Sequence, residues 1–269
     1  MDRLFTGLRW LEIALLAISF ICISVNFAIV NRRTRLAAGT EKRTVVRFGK
    51  AAILTHWLHT IAFVFLTVTG ALLFFNLLDA NGKNDIRAVH IIAGIFFAIV
   101  PTIFLISNPR LTADFIKETF RWGKDDIAWV KSALSYYFGT SDEMPPQRRI
   151  NGGQKLWQLI VVITAAVLLP TGLFLWFFKG RGETSLYLWA SFTHALAFVV
   201  VSVMFTVHLY MSMLHPRTDE SLSSMLDGKV SESYARQHYP LWFAETFKRK
   251  EPKAQSQDKT PAGVQPIIK

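Results

Sequence analysis

The chain has 269 residues, is 51% hydrophobic with a mean hydropathy of +0.30, and carries a formal net charge of +11. That hydrophobic share is high for a soluble domain and ordinary for a multi-span membrane protein, and the basic excess lies in the connections between apolar runs, where it reads as a topology signal and lipid contact and not as a nucleic-acid surface. The single cysteine, Cys22, excludes an intrachain disulfide and an iron–sulfur cluster held by this chain's own thiolates, so any redox centre falls to histidine.

Five apolar runs are long enough to cross a bilayer as helices. They lie at about Trp10–Val30, Ala51–Leu78, Ile86–Ser107, Lys155–Phe178 and Leu186–Leu214. The first has a weakly basic front, Arg3 and Arg9, and no clear small-residue cleavage site, so it reads as a retained helix before it reads as a cleaved signal. Between the third and fourth runs, Ile127, Val130, Leu134, Tyr137 and Phe138 fall at helical spacing with charges between them, which predicts a helix lying in the headgroup plane. Gly123 should separate it from an earlier turn around Phe115–Trp122. Pro101 and Pro170 should kink the third and fourth spans. The end of the chain, Glu251–Lys269, mixes Pro, Gln, Lys and Ala without periodicity and reads as disordered.

The connections alternate in charge. Asn31–Lys50 carries seven basic residues, Pro109–Lys155 eight, and the tail from His215 nine, while the two short links carry two each. The positive-inside rule places the three basic segments in the cytoplasm, and the N-terminus and short links outside.

Seven histidines fall on this frame. His194 and His208 are fourteen residues apart in the fifth span, so they project about 40° apart on one helix face and ~21 Å apart along its axis. His56 opens the second span from inside, and His90 opens the third from outside. Depth therefore pairs His56 with His208 and His90 with His194. Four intramembrane imidazoles matched in depth across three helices suit bis-histidine axial ligation of two b haems. His59 competes with His56, one turn away on the same face, and His215 beside Pro216 reads as interfacial. Gly70, Gly94 and Ala195 are small residues that could allow close approach to the haems. Asn151-Gly152-Gly153-Gln154-Lys155 opens the fourth span on the cytoplasmic side. It reads either as a capped helix start or as donors, with Asn151 and Gly153 foremost, for a quinone carbonyl.

These motifs carry a family resemblance. His56-Trp57, Val89-His90 with Gly94, Asn151-x-Gly153-Gln154-Lys155, His194 with His208-Leu209-Tyr210-Met211, and a tail running from Gly228-Lys229-Val230-Ser231 to Trp242 resemble the gamma subunit of respiratory formate dehydrogenase, a membrane di-haem cytochrome b. The resemblance covers about residues 45–245. It implies a four-helix di-haem core, a quinone site near the cytoplasmic haem involving Asn151, Gly153 and the surroundings of His208, an iron–sulfur beta subunit, and a molybdenum or tungsten catalytic alpha subunit on the outer face. The first span and the longer cytoplasmic stretches depart from it.

The resulting expectation is an all-α integral membrane bundle of the bacterial cytoplasmic membrane. It has an N-terminal helix and basic linker (1–44), a di-haem domain (45–245) and a cytoplasmic tail (246–269), with the N-terminus outside. It passes electrons from an iron–sulfur partner to quinone and does not itself oxidise formate. The alternatives are a cytochrome b subunit of a quinone-reactive hydrogenase and a histidine-based proton or ion transporter. The transporter would need acidic residues within the spans, where the sequence offers only Glu12, near an end of the first.

Overall fold

The computed structural model describes residues 1–34, 43–181 and 184–248. Five helices are long and apolar enough to cross a membrane: α1 (Asp2–Thr34), α2 (Lys50–Phe74), α3 (Ala80–Ser107), α6 (Gly152–Phe177) and α7 (Thr184–Leu209), the last continued by a π-turn over Tyr210–Leu214. Between α3 and α6 run α4 (Pro109–Phe120) and α5 (Lys124–Tyr137). After the π-turn come α8 (Glu220–Leu226), α9 (Glu232–His238) and α10 (Pro240–Lys248). Two short strands, β1 (Thr44–Val46) and β2 (Lys229–Ser231), pair antiparallel with Val45 opposite Val230.

The helix ends differ from the hydropathy runs for a local reason. Helix α3 starts six residues before the apolar run because Asp79 caps it, accepting from Gly82 N at 2.8 Å. Helix α6 starts three residues early because Asn151 and Gln154 form a reciprocal capping box. Helix α2 stops at Phe74, and Asn76 turns the chain with φ 59°. Pro101 and Pro170 both lie inside continuous helices.

Helices α2, α3, α6 and α7 close a ring, each packing on the next, and α1 packs outside it against α7. Leu8 and the partly buried Phe5 and Leu15 of α1 meet Ala195 and Val199 of α7. Ala195 therefore packs the first helix, in place of the haem clearance expected for it.

The end of the bundle where α2 begins is closed by the tail. Trp57 of α2 donates to Met225 O of α8 at 2.6 Å. Strand β2 fastens the tail to the segment before α2. Gly228, at φ 80°, makes this possible, since a Cβ there would stand 2.4 Å from Phe48 O. Val230, Tyr234, Ala235, Tyr239 and Phe243 form a small core beneath. His238 stacks on Tyr234 at 4.2 Å, and burial, with the positive Arg47 and Arg217 nearby, holds it well below the usual imidazole range, at about 4. His215, expected at the interface, is 1% exposed and hydrogen-bonded through Nε2 to Tyr137 O. The predicted headgroup helix forms as α5, with Ile127, Val130 and Leu134 exposed along it while Asp126, Trp129 and Tyr136 face inward. The segment Glu251–Lys269 and residues 35–42 of the basic linker lie outside the described residues.

Candidate functional site

The outer pair is the best-defined feature. His90 of α3 and His194 of α7 face each other with ring centroids 6.3 Å apart. Two imidazoles ligating one metal from opposite sides at roughly 2 Å each hold their centroids on the order of 6 Å apart.

Each ring is held by a threonine from a neighbouring helix. Thr69 Oγ1 of α2 lies 2.6 Å from Phe65 O and 2.7 Å from His90 Nδ1. Thr171 Oγ1 of α6 lies 2.6 Å from Val167 O and 2.9 Å from His194 Nδ1. A hydroxyl has one proton, and a backbone carbonyl can only accept. Each threonine therefore donates along its own helix and accepts from Nδ1–H of the histidine. That fixes the tautomer and leaves the Nε2 lone pairs of both rings for a metal.

The residue after each threonine is glycine. A Cβ at Gly70 would stand 3.5 Å from His90 Cε1, and one at Gly172 would stand 3.2 Å from His194 Cε1. The two Thr-Gly pairs thus leave room for the imidazoles they orient. Gly70 was expected near the site; Thr69, Thr171 and Gly172 were not. Gly94 meets Leu66 instead of either ring.

At the end of the bundle that the tail closes, His208 of α7 stacks on Trp157 of α6, centroids 4.8 Å apart and planes 12° apart. His56 lies in the second turn of α2, next to the Trp57 that bonds Met225 O of α8, and His208 lies one residue before the end of α7, so both stand at the end of the bundle that the tail closes. His56 meets Trp57 edge-on, while the competing His59 stacks on Phe97 of α3 at 4.1 Å with a buried Nε2 that has no hydrogen-bond partner among the described residues.

The start of α6 is crowded by α5. Lys155 and Asp126 form a buried ion pair at 2.9 Å, and Gln147 Oε1 accepts from Gly152 N at 2.8 Å. Asn151 Oδ1 accepts from Gln154 N at 2.9 Å. A Cβ at Gly153 would lie 2.4 Å from Trp129 Cη2, so the glycine admits a tryptophan ring. Two donors are left over: among the described residues, Asn151 Nδ2 and the Gly153 N–H have no protein acceptor. Arg47 braces the patch, donating to Gln154 Oε1 at 3.0 Å and to Arg149 O at 2.7 Å, its guanidinium 3.8 Å from the centre of the Tyr239 ring.

Known proteins fit this geometry. The family described as prokaryotic cytochrome b561 matches residues 47–228, a span that holds all four paired histidines and leaves α1 outside it. The chain is 26% identical to the formate dehydrogenase cytochrome b556(fdo) subunit of Escherichia coli, over 80% of this chain and 99% of that one. It is 25% identical to the cytochrome b556 subunit of Haemophilus influenzae formate dehydrogenase, over 75% and 83%. It is 24% identical to the nitrate-inducible cytochrome b556(Fdn) subunit of Escherichia coli, over 81% and 99%. With five membrane-length helices around these histidines, the chain belongs to the prokaryotic cytochrome b561 family, integral membrane proteins for which the cytochrome b name implies haem b.

Proposed function

We propose that the chain is the membrane cytochrome b subunit of a formate dehydrogenase, with one b haem between His90 and His194 and a second between His56 and His208. The carrying observation is the outer pair: facing imidazoles 6.3 Å apart, each with Nδ1 engaged by a threonine and Nε2 left to ligate. The relatives' names support the formate side of the reading. When bound, the haems supply one-electron transfer between an iron–sulfur donor and quinone.

The chain's own residues do the rest. Thr69 and Thr171 hold the outer rings in one tautomer. The four-helix ring excludes water from between the ligands. Asn151 Nδ2 and the Gly153 N–H offer donors to a quinone carbonyl at the inner end. Iron–sulfur beta and molybdenum or tungsten alpha subunits dock on the outer face, the quinone draws its protons from the cytoplasm, and the protein sits in the bacterial cytoplasmic membrane with residues 45–245 as the redox unit.

The test is a reduced-minus-oxidised spectrum of the purified chain with haem quantified per polypeptide. Two haems are expected, with His194→Ala removing the outer one and His208→Ala the inner. A chain without a Soret band, or with haem unchanged in both variants, would overturn the reading. Purification from native membranes should bring down a formate-oxidising partner; a hydrogenase in its place would move the assignment to the hydrogenase alternative.

A further inference from the structure

Helix α1 lies outside the matched family region, yet it carries an acid inside the membrane span. Glu12 sits ten residues into the helix and is 1% exposed. The helix begins at Asp2, eight residues before the apolar run, so Glu12 lies well inside continuous helix. The buried residues of α1 are Leu8, Glu12, Asn26 and Val30, spaced four, fourteen and four apart, which is one helical stripe. That stripe faces α7.

Ser202 of α7 meets the acid. Its Oγ lies 2.6 Å from Glu12 Oε1 and 3.0 Å from Val199 O. Serine has one proton to give and the Val199 carbonyl can only accept. If both contacts are hydrogen bonds, the serine proton goes to Val199 and the proton between Ser202 and Glu12 belongs to the carboxyl. The other oxygen, Oε2, is buried with no hydrogen-bond partner among the described residues. The carbonyl oxygen of a neutral acid tolerates that position far better than half of a carboxylate charge does.

No cation compensates. Among the described residues Glu12 makes no ion pair. The nearest positive group on its own helix, Arg9, donates to Phe74 O at 2.6 Å and lies 6.0 Å from the Phe74 ring centre. Of the titratable residues of α7, Tyr187 lies fifteen residues before Ser202, about four turns away, while His194 and His208 lie eight residues before it and six after it. The two histidines point about 80° and 120° away around the helix, toward the four-helix ring.

We propose that Glu12 is a membrane-buried carboxylic acid that keeps its proton and, through Ser202, pins α1 to α7. The extra helix is then a fixed wall of the bundle. Asn26 supplies a second pin at the inner end, accepting from Tyr210 Oη in the π-turn and donating to Tyr137 O at 2.8 Å. This assignment goes beyond the haem reading and does not depend on it.

The experiment is infrared spectroscopy of the purified full chain in lipid nanodiscs, paired with thermal unfolding. The wild type should show a protonated-carboxyl stretch that Glu12→Gln lacks and that persists in alkaline buffer. Ser202→Ala should shift that band upward as its hydrogen bond is lost. Glu12→Gln, which can donate to Ser202 as the neutral acid does, should unfold with the wild type, and Glu12→Ala should unfold at a lower temperature. Identical carboxyl spectra for the wild type and Glu12→Gln would mean an ionised or absent proton site and overturn the proposal. So would wild-type stability in Glu12→Ala. Should Glu12→Gln fail to fold, an unshifted band in Ser202→Ala decides against the proposal by itself.

Discussion

Thr69 and Thr171 show how much one hydroxyl proton can determine. Each is placed where an ordinary helix threonine would bond back to the preceding turn, and each does so. Because that proton is committed, the oxygen's remaining capacity makes the histidine beside it a donor at Nδ1 and leaves a free lone pair at Nε2. A hydrogen bond accepted from Nδ1–H makes the imidazole more electron-rich. Thr171→Val keeps the shape and removes the acceptor, so the outer haem should be retained with its midpoint potential raised. A neutral hydrogen bond is worth about 1 kcal/mol, which for one electron is on the order of 40 mV at most. A redox titration of the variant should show the higher-potential shift in one haem only. No shift in either would mean that the hydroxyl plays no part in setting the ligand. That His90 and His194 would meet was legible in the sequence because spacing and charge parity set their depths. The threonines were not: a back-bonding threonine in one helix reveals nothing of the ring that a second helix brings to it.

At the scale of elements, the start of α6 shows where sequence reasoning was ambiguous. The run Asn151-Gly152-Gly153-Gln154 reads as a capped helix start or as a ligand cradle, and the structure builds the cap in full. The space beside Gly153 belongs to Trp129, which only the packing of α5 could disclose. Helix boundaries shifted for a related reason, since Asp79 and Asn151 extend helices into polar residues that hydropathy discounts. Gly153→Ala should drive a methyl into the buried indole and destabilise the protein by about 1–3 kcal/mol, the usual cost of overpacking. It should also slow quinone reduction. Adding Trp129→Leu makes room for the methyl and should restore the unfolding midpoint. Quinone turnover should stay low in the double variant if the Gly153 N–H serves the ligand. Full recovery of turnover would assign the glycine to packing alone and place the quinone elsewhere.

The whole molecule is polarised by charge, and the direction of the proposed electron and proton movement depends on that polarity. Seven basic residues in Asn31–Lys50 stand against two in Met1–Arg9, and every later connection agrees with the same parity. Helix α1 bonds to α7 through Glu12 and to the π-turn that continues α7 through Asn26, so the first and fifth spans share one frame. Strand β1, which follows the basic linker, pairs with β2 in the tail, so the linker's end and the tail lie on one side of the bundle. That pairing ties the two segments together: a cytoplasmic tail requires a cytoplasmic linker end. Cysteine labelling from each side of sealed cells, with Cys22 replaced by serine, should find position 5 accessible from outside and positions 40 and 229 from the cytoplasm. His90 and His194 then lie at the outer face, and the start of α6 lies at the inner. If position 40 labelled from outside, the two haem sites would exchange sides, and quinone reduction beside Asn151 would draw its protons from outside the cell.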